Sequence, residues 1–338
     1  MKRFKNKKIN LTFLLTLLII PFLSSCNGIY EDLEPCEQGV SLRFVYDYNM
    51  EFANAFHNQV DCLTVLVYDE DGNHIDTMNA GRSETSDEKW RMRFELPEGQ
   101  YHLIAYGGID CEDASFHFDP EPAKKTRADL KVNLRGSLLS APKGHALHHL
   151  YYGEAEVSVP KPGTSSSMVE ETVYMMKDTN DFRILLAYED GRPIEESDFE
   201  FTITDDNTLF SWNNSVIPQG DVTYYPWTRS TTSAGTNEDE EPSIMAYAEI
   251  STSRLIDGSE SRLEVKRAAD GKKVVSIPLS EMLLLLKSER YSWMKNQEFL
   301  DRQSVWNLTF VLTGDDYWSG TSVIINNWVV RLNNIEGK

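Results

Sequence analysis

The chain has 338 residues, with 53 acidic against 33 basic side chains and a formal charge of −20. So acidic a surface argues against nucleic acid as a partner and against docking on anionic lipid through a basic patch. The length is enough for two domains with sizeable cores.

The N-terminus opens with Lys2, Arg3, Lys5, Lys7 and Lys8, followed by an apolar stretch from Leu11 to Leu23 interrupted only by Thr12, Thr16 and Pro21. This stretch is well short of the roughly 20 residues that span a bilayer as a helix, and it has the length of a signal-peptide core. It ends in Leu23-Ser24-Ser25-Cys26, an apolar residue and two small ones before a cysteine. That order is the signature of a lipoprotein signal cut between Ser25 and Cys26. The sulfur of Cys26 takes a diacylglycerol, and its freed amine can take a further chain such as palmitate. Residues 1–25 are therefore expected to be a signal peptide and 26–38 a lipidated N-terminal segment. The signal holds five basic residues and no acidic ones, so its removal takes the charge from −20 to −25. Two or three acyl chains anchor stably without a transmembrane helix. No later window is apolar for long enough to supply one; the run from Met282 to Leu286 is short.

Three cysteines follow, Cys36, Cys62 and Cys111. Their spacing matches no zinc pattern. In an oxidising compartment one pair can form a disulfide, and the sequence leaves the pairing open.

Beyond residue 39 the pattern is mainly β. Val40 to Tyr46 alternates apolar and polar residues, and Leu63 to Tyr68 is a dense strand that runs into Asp69-Glu70-Asp71-Gly72-Asn73. An Asp-Gly step favours a tight hairpin because glycine takes positive φ without a steric cost. Asp190-Gly191, Asp257-Gly258 and Asp270-Gly271 repeat it. Trp90 to Leu96 reads as a strand closed by Pro97-Glu98-Gly99, with another over Gln100 to Gly107. Helical signals are few: a short excursion within Met50 to Val60, and a helix over Ser280 to Tyr291 with Ser280 as N-cap. The Pro, Gly and Ser cluster from Pro160 to Ser167 marks a boundary. The expected architecture is all-β, with one seven-strand sandwich domain over 39–160 and a second over 161–338. The acidic stretch from Arg229 to Pro242 reads as a solvated loop.

No constellation of residues defines an active site, so no catalytic residue, metal or cofactor is assigned. His145, His148 and His149 would bring two ligands to one face only if their turn were helical, and they lack the glutamate of the zinc-protease arrangement. Asp69, Asp71 and Asn73 do not fit a calcium loop, because Gly72 and Ala80 stand in the wrong places. Carboxylates are too many for a chance pair to imply a glycosidase. Trp212, Trp227, Trp293, Trp306, Trp318 and Trp328 crowd the second half. They are expected mainly in cores and interfaces, with stacking on sugar as the alternative.

Several segments carry a resemblance. Cys26 to Cys36 reads Cys-Asn-Gly-Ile-Tyr-Glu-Asp-Leu-Glu-Pro-Cys; Leu42 to Met50 contains Tyr46-Asp47-Tyr48-Asn49; then come Ala55-Phe56 and Gln59-Val60-Asp61. Leu150-Tyr151-Tyr152-Gly153, Asp206-Asn207, Gln297 to Arg302 and Ile324 to Arg331 follow in order. Together they make the mature chain similar to the FimB-type fimbrial anchor lipoproteins of Bacteroidales, with Phe299 departing from the more usual tyrosine. The resemblance implies two tandem transthyretin-like β-sandwiches and a structural role rather than an enzymatic one. Such a protein is held in the outer membrane by the lipid on Cys26. It joins fimbrial stalk subunits by strand-type pairing at the base of a fimbria and limits its length. Glu31, Asp32 and Glu34 resemble a surface-export signal. A lipid-bearing N-terminus and the short tail after Asn326 to Ile335 suit an end piece better than a repeating stalk unit. The alternative is a fimbrial tip or surface adhesin that binds a glycan or protein ligand.

Overall fold

The computed structural model describes residues 37–123, 125–139, 145–162, 168–236, 242–287, 289–318 and 322–331. The signal peptide, Cys26, the acidic residues behind it and Cys36 lie outside them.

Twenty strands make up the described chain. The first nine are β1 (Gly39–Val45), β2 (Leu63–Asp69), β3 (His74–Ala80), β4 (Met92–Glu95), β5 (Gly99–Gly107), β6 (Phe116–Phe118), β7 (Lys131–Leu134), β8 (Tyr151–Val159) and β9 (Met168–Lys177). Then come β10 (Thr179–Tyr188), β11 (Phe199–Asp205), β12 (Leu209–Ser211), β13 (Val222–Tyr224), β14 (Thr228–Thr236) and β15 (Pro242–Ser253). The last are β16 (Arg262–Arg267), β17 (Lys273–Pro278), β18 (Val305–Leu312), β19 (Ser322–Ile325) and β20 (Trp328–Arg331). Four short helices punctuate them: α1 (Phe56–Gln59), α2 (Arg82–Thr85), α3 (Leu279–Leu284) and α4 (Asn296–Arg302). The Asp-Gly steps turn as expected, with Gly72, Gly191, Gly258 and Gly271 all at positive φ. Only Phe56–Gln59 of the first helical excursion is α-helical. The second helix has Pro278 rather than Ser280 at its N-cap and ends at Leu284, well short of the expected Tyr291. Ser280 is buried inside it, because its hydroxyl pairs with that of Ser261 at 2.8 Å instead of capping.

The first half is built on a seven-stranded sheet of order β3-β2-β5-β8-β9-β1-β4. All its pairs are antiparallel except β1 with β9. One face carries Leu42, Phe44, Val65, Leu103 and Val173, closed over by Phe56 and Val60, and forms its own core. The opposite face, with Leu66, Ile104 and Tyr106, contributes to a second core. Sandwiched on both sides, β2 and β5 read as nearly unbroken apolar runs, whereas β11 and β18 alternate strictly. Gly153 is required where β8 meets β9, since a Cβ there would stand 2.7 Å from the carbonyl oxygen of Tyr174.

The second half packs a six-stranded sheet, β14-β15-β10-β18-β19-β20, against a four-stranded one, β13-β11-β16-β17. Phe182, Ile184, Trp306 and Leu308 face Phe201, Ile203 and Val265. A three-stranded sheet, β12-β7-β6, is made by both halves: Phe210 of β12 stands opposite Val132 of β7. The second core therefore runs without a break from one half into the other. Strands β8 and β9, on either side of the Pro160–Ser167 segment, pair with each other in the first sheet. The chain changes sheets further on, at Asp178, the single residue between β9 and β10.

Cys62, just before β2, is bonded to Cys111, beyond β5. The bond closes a loop of 49 residues, worth roughly 4 kcal/mol in the chain-entropy picture.

Candidate assembly interface

A network of buried and half-buried polar groups lies in the second half, and Arg302 carries it across to the first. The Arg254 guanidinium donates to both carboxylate oxygens of Asp301 at 2.7 and 2.8 Å, and to the carbonyl oxygen of Asn214 at 2.9 Å. Asn207 is fully buried; it donates to Asp205 and to the Arg254 carbonyl, and accepts from the Tyr224 hydroxyl at 2.6 Å. Arg302 donates to the carbonyl oxygens of Asp47 and Asn49, and its guanidinium stacks 4.0 Å from the Tyr48 ring centre. Segments 46–49, 206–207 and 297–302, quoted above for the resemblance, thus converge on this junction. Proximity in sequence gives no hint of it, since Asp47 and Arg302 are 255 residues apart.

Two aspartates flank the crossing from sheet to sheet with opposite electrostatics. Asp178 is buried, and burial pushes its carboxyl up to about 7 against the pull of Arg254 and the hydrogen bond from Asn214. Asp181 is only half-buried, and although partial burial pushes its carboxyl up, the hydrogen bond from His149 and the charge of Lys177 hold it well below the usual carboxylate range. A group whose folded pKa is raised binds its proton more tightly folded than unfolded, so its contribution declines as pH rises from about 4 to about 7. The stability of an Asp178→Asn variant relative to wild type is therefore expected to grow across that window and level off above it. The displacement from 3.8 to about 7 sets the total at roughly 4 kcal/mol. Denaturant melts of both proteins at pH 5, 6, 7 and 8 check this, and a constant difference would refute it. The low pKa of His148, caused by burial, has the opposite slope but is common to both proteins and cancels.

The histidine turn is not helical. His145 contacts the Ala146 carbonyl, the His148 amide donates to Ser115, and the His149 ring meets Asp181 at 3.0 Å. Among the described residues no group of three His, Cys, Asp or Glu side chains converges as a metal site. Asp69 accepts from the backbone and side chain of Asn73, as a hairpin turn does. Of the tryptophans, Trp306 and Trp318 are buried, Trp212 and Trp227 half-buried, and Trp293 and Trp328 exposed.

Trp328 belongs to the most exposed apolar edge among the described strands. The turn Asn326-Asn327 takes φ of 47° and 69°, the double positive φ of a tight two-residue hairpin. Asn326 pins it to β18 by accepting from the Asn307 amide at 2.7 Å and donating its own amide back at 2.8 Å. Ile325 and Trp328 pair directly across the turn, Ile325 fully buried and Trp328 72% exposed. The core face of the sheet therefore continues past Ile325 onto an uncovered indole. The next residue, Val329, is 63% exposed. In a two-residue hairpin the closing pair is hydrogen-bonded, so alternation turns the N–H and C=O of Val329 away from β19 toward the free edge. Other edges are blunted in the usual ways. Edge strand β17 carries Lys273 and Pro278, β4 is four residues long with Arg93 and Glu95, and β14 is rich in Thr and Ser and bulged. Edge strand β20 offers Trp-Val-Val before its first charge at Arg331. The sequence shows those residues but not that they form an edge, which depends on the order of strands in the sheet.

Among the described residues, then, the chain is all-β, with a core built by both halves and an exposed apolar edge at β20 open to pairing with a further strand. Residues 33–334 match the family model of the fimbrillin-A associated anchor proteins Mfa1 and Mfa2, and the chain belongs to that family. It is 46% identical to a candidate adhesin from Bacteroides thetaiotaomicron, with a TM-score of 0.84 over 89% of this chain and 100% of that one. A candidate polysaccharide-binding protein from the same organism is 28% identical, with a TM-score of 0.72 over 88% and 99%. The fimbrial anchor protein Mfa2 from Porphyromonas gingivalis shares the fold at 16% identity, with a TM-score of 0.65 over 88% and 99%. No curated protein matches the sequence.

Proposed function

We propose that this protein is a lipoprotein of the outer membrane that anchors a fimbria at its base, holds its last stalk subunit by strand pairing along β20, and so limits fimbrial length. The observation that carries the joint is the free edge of Val329 beside exposed Trp328. A strand added there gains main-chain hydrogen bonds from the edge and a pocket wall from the indole. Membership of the anchor family and the lipoprotein signal ending at Cys26 support the rest.

Val329→Pro removes the outward N–H while leaving the bonds between β19 and β20 in place, and proline is tolerated at such an edge position. The variant is expected to stay folded and membrane-bound while most fimbriae pass into the medium on gentle shearing. Val329→Ala, which keeps the N–H, is expected to retain them. Immunoblots of cells, membranes and medium read the result; fimbriae still attached in the proline variant would remove β20 from the joint.

A further inference from the structure

We propose that a cleft on the outer face of the six-stranded sheet binds an uncharged saccharide chain. The cleft has a volume of about 430 Å³, within the range of small-ligand sites. Its walls include Trp227 at the start of β14, Val305 and Asn307 of β18, and His149 from the turn before β8. Arg183 and Glu249 also line it.

Three features select the ligand. The first is charge. Asp181 is taken up by Lys177 at 3.1 Å and His149 at 3.0 Å, and Glu249 is bound to Arg183 through the guanidinium Nε at 2.7 Å. On a chain of −20 this hollow has its carboxylates matched by cations, so it presents no free charge to draw in an ion. The second is unspent hydrogen bonding. The Trp227 indole N–H and the Asn307 side-chain amide make no hydrogen bond to any described residue, although both border the cleft. A half-buried indole ordinarily finds an acceptor, and a sugar hydroxyl supplies one. The third is rigidity. Asp181 also accepts from Ser251 at 3.0 Å, the Trp227 amide donates to the Glu249 carbonyl at 2.9 Å, and Asn307 is pinned to the Asn326 turn. Groups fixed in advance lose little entropy on binding. An aromatic wall for the C–H face of a sugar ring, with amide, imidazole and carboxylate groups around it, fits a neutral polyol better than an apolar peptide.

The test is calorimetric titration of the full mature chain in lauryldimethylamine oxide micelles, which bring no sugar headgroup. The probes are cellohexaose, maltohexaose and mannohexaose, with hexagalacturonate as the charged counterpart. At least one neutral chain is expected to bind, with Kd raised about tenfold or more in Trp227→Ala, a loss of 1.4 kcal/mol per tenfold. Asn307→Ala, an exposed substitution that spares the fold, is expected to weaken binding several-fold. Trp293→Ala, which removes a 64% exposed indole outside the cleft, is expected to leave it unchanged. The proposal fails if none of the neutral chains binds, if binding ignores both Trp227→Ala and Asn307→Ala, or if hexagalacturonate binds as tightly.

Discussion

A Cys26→Ala variant is expected to appear almost entirely outside the membrane fraction, with the fimbriae it carries released into the medium. Each acyl methylene buried in a bilayer is worth about 0.8 kcal/mol, and one chain alone holds a protein only marginally. Loss of the proposed lipidation residue would therefore remove all of that attachment at once. Among the described residues no helix is long and apolar enough to cross a membrane. Fractionation followed by immunoblotting, with electron microscopy of the medium, reads the outcome. A variant that stays with the membrane and keeps its fimbriae would refute the anchoring role of Cys26. Combined with Val329→Pro, the experiment separates the two ends of the proposed link: one variant leaves the membrane, the other keeps the membrane and loses the fimbria.

The largest expected effect on folding comes from Arg254. Replacing it with methionine leaves Asp301 without its bidentate partner and Asp178 without the cation 3.9 Å away. Breaking a buried pair by removing one partner costs about 3–5 kcal/mol, because a charge is left buried and uncompensated. Arg254→Met is expected to lose that much in denaturant melts at pH 8. Adding Asp178→Asn and Asp301→Leu removes the stranded carboxylates and is expected to recover much of the loss. A single variant within about 1 kcal/mol of wild type would show that the network contributes little. Because the second core spans both halves, a single cooperative transition is expected rather than two.

The all-β class was legible in the sequence because alternation and Asp-Gly turns are local properties, and the strands over 40–46, 63–68 and 100–107 appear within a residue or two of their expected places. What local pattern does not carry is which strand neighbours which. The strand Met168–Lys177 follows a Pro, Gly and Ser cluster that looks like a linker, yet parallel pairing with β1 places it in the first sheet. The sheet shared by β6, β7 and β12 has no counterpart in the sequence pattern, because each strand is only three or four residues long, too short for a periodic signal. The segments behind the family resemblance were visible as words, but that three of them meet at one junction is a fact of three-dimensional packing. The cleft beside Trp227 was equally hidden: its walls come from five separated stretches of chain.

The parallel pairing of β1 and β9 has a mechanical consequence. In the proposed anchoring role, a pull between the membrane and a fimbria would enter at the start of β1, at Gly39, and leave β9 at Lys177 into β10. In a parallel pair those two points lie at opposite ends, so the load acts along the strands. It shears seven rungs from Gly39↔Met168 to Val45↔Tyr174 together, rather than peeling them one by one. Strands β10 and β18 repeat the arrangement in the second half over eight rungs. A fold with the two parallel pairs of its described strands in the line of tension would resist extension by collective rupture, the property the proposed tethering role calls for.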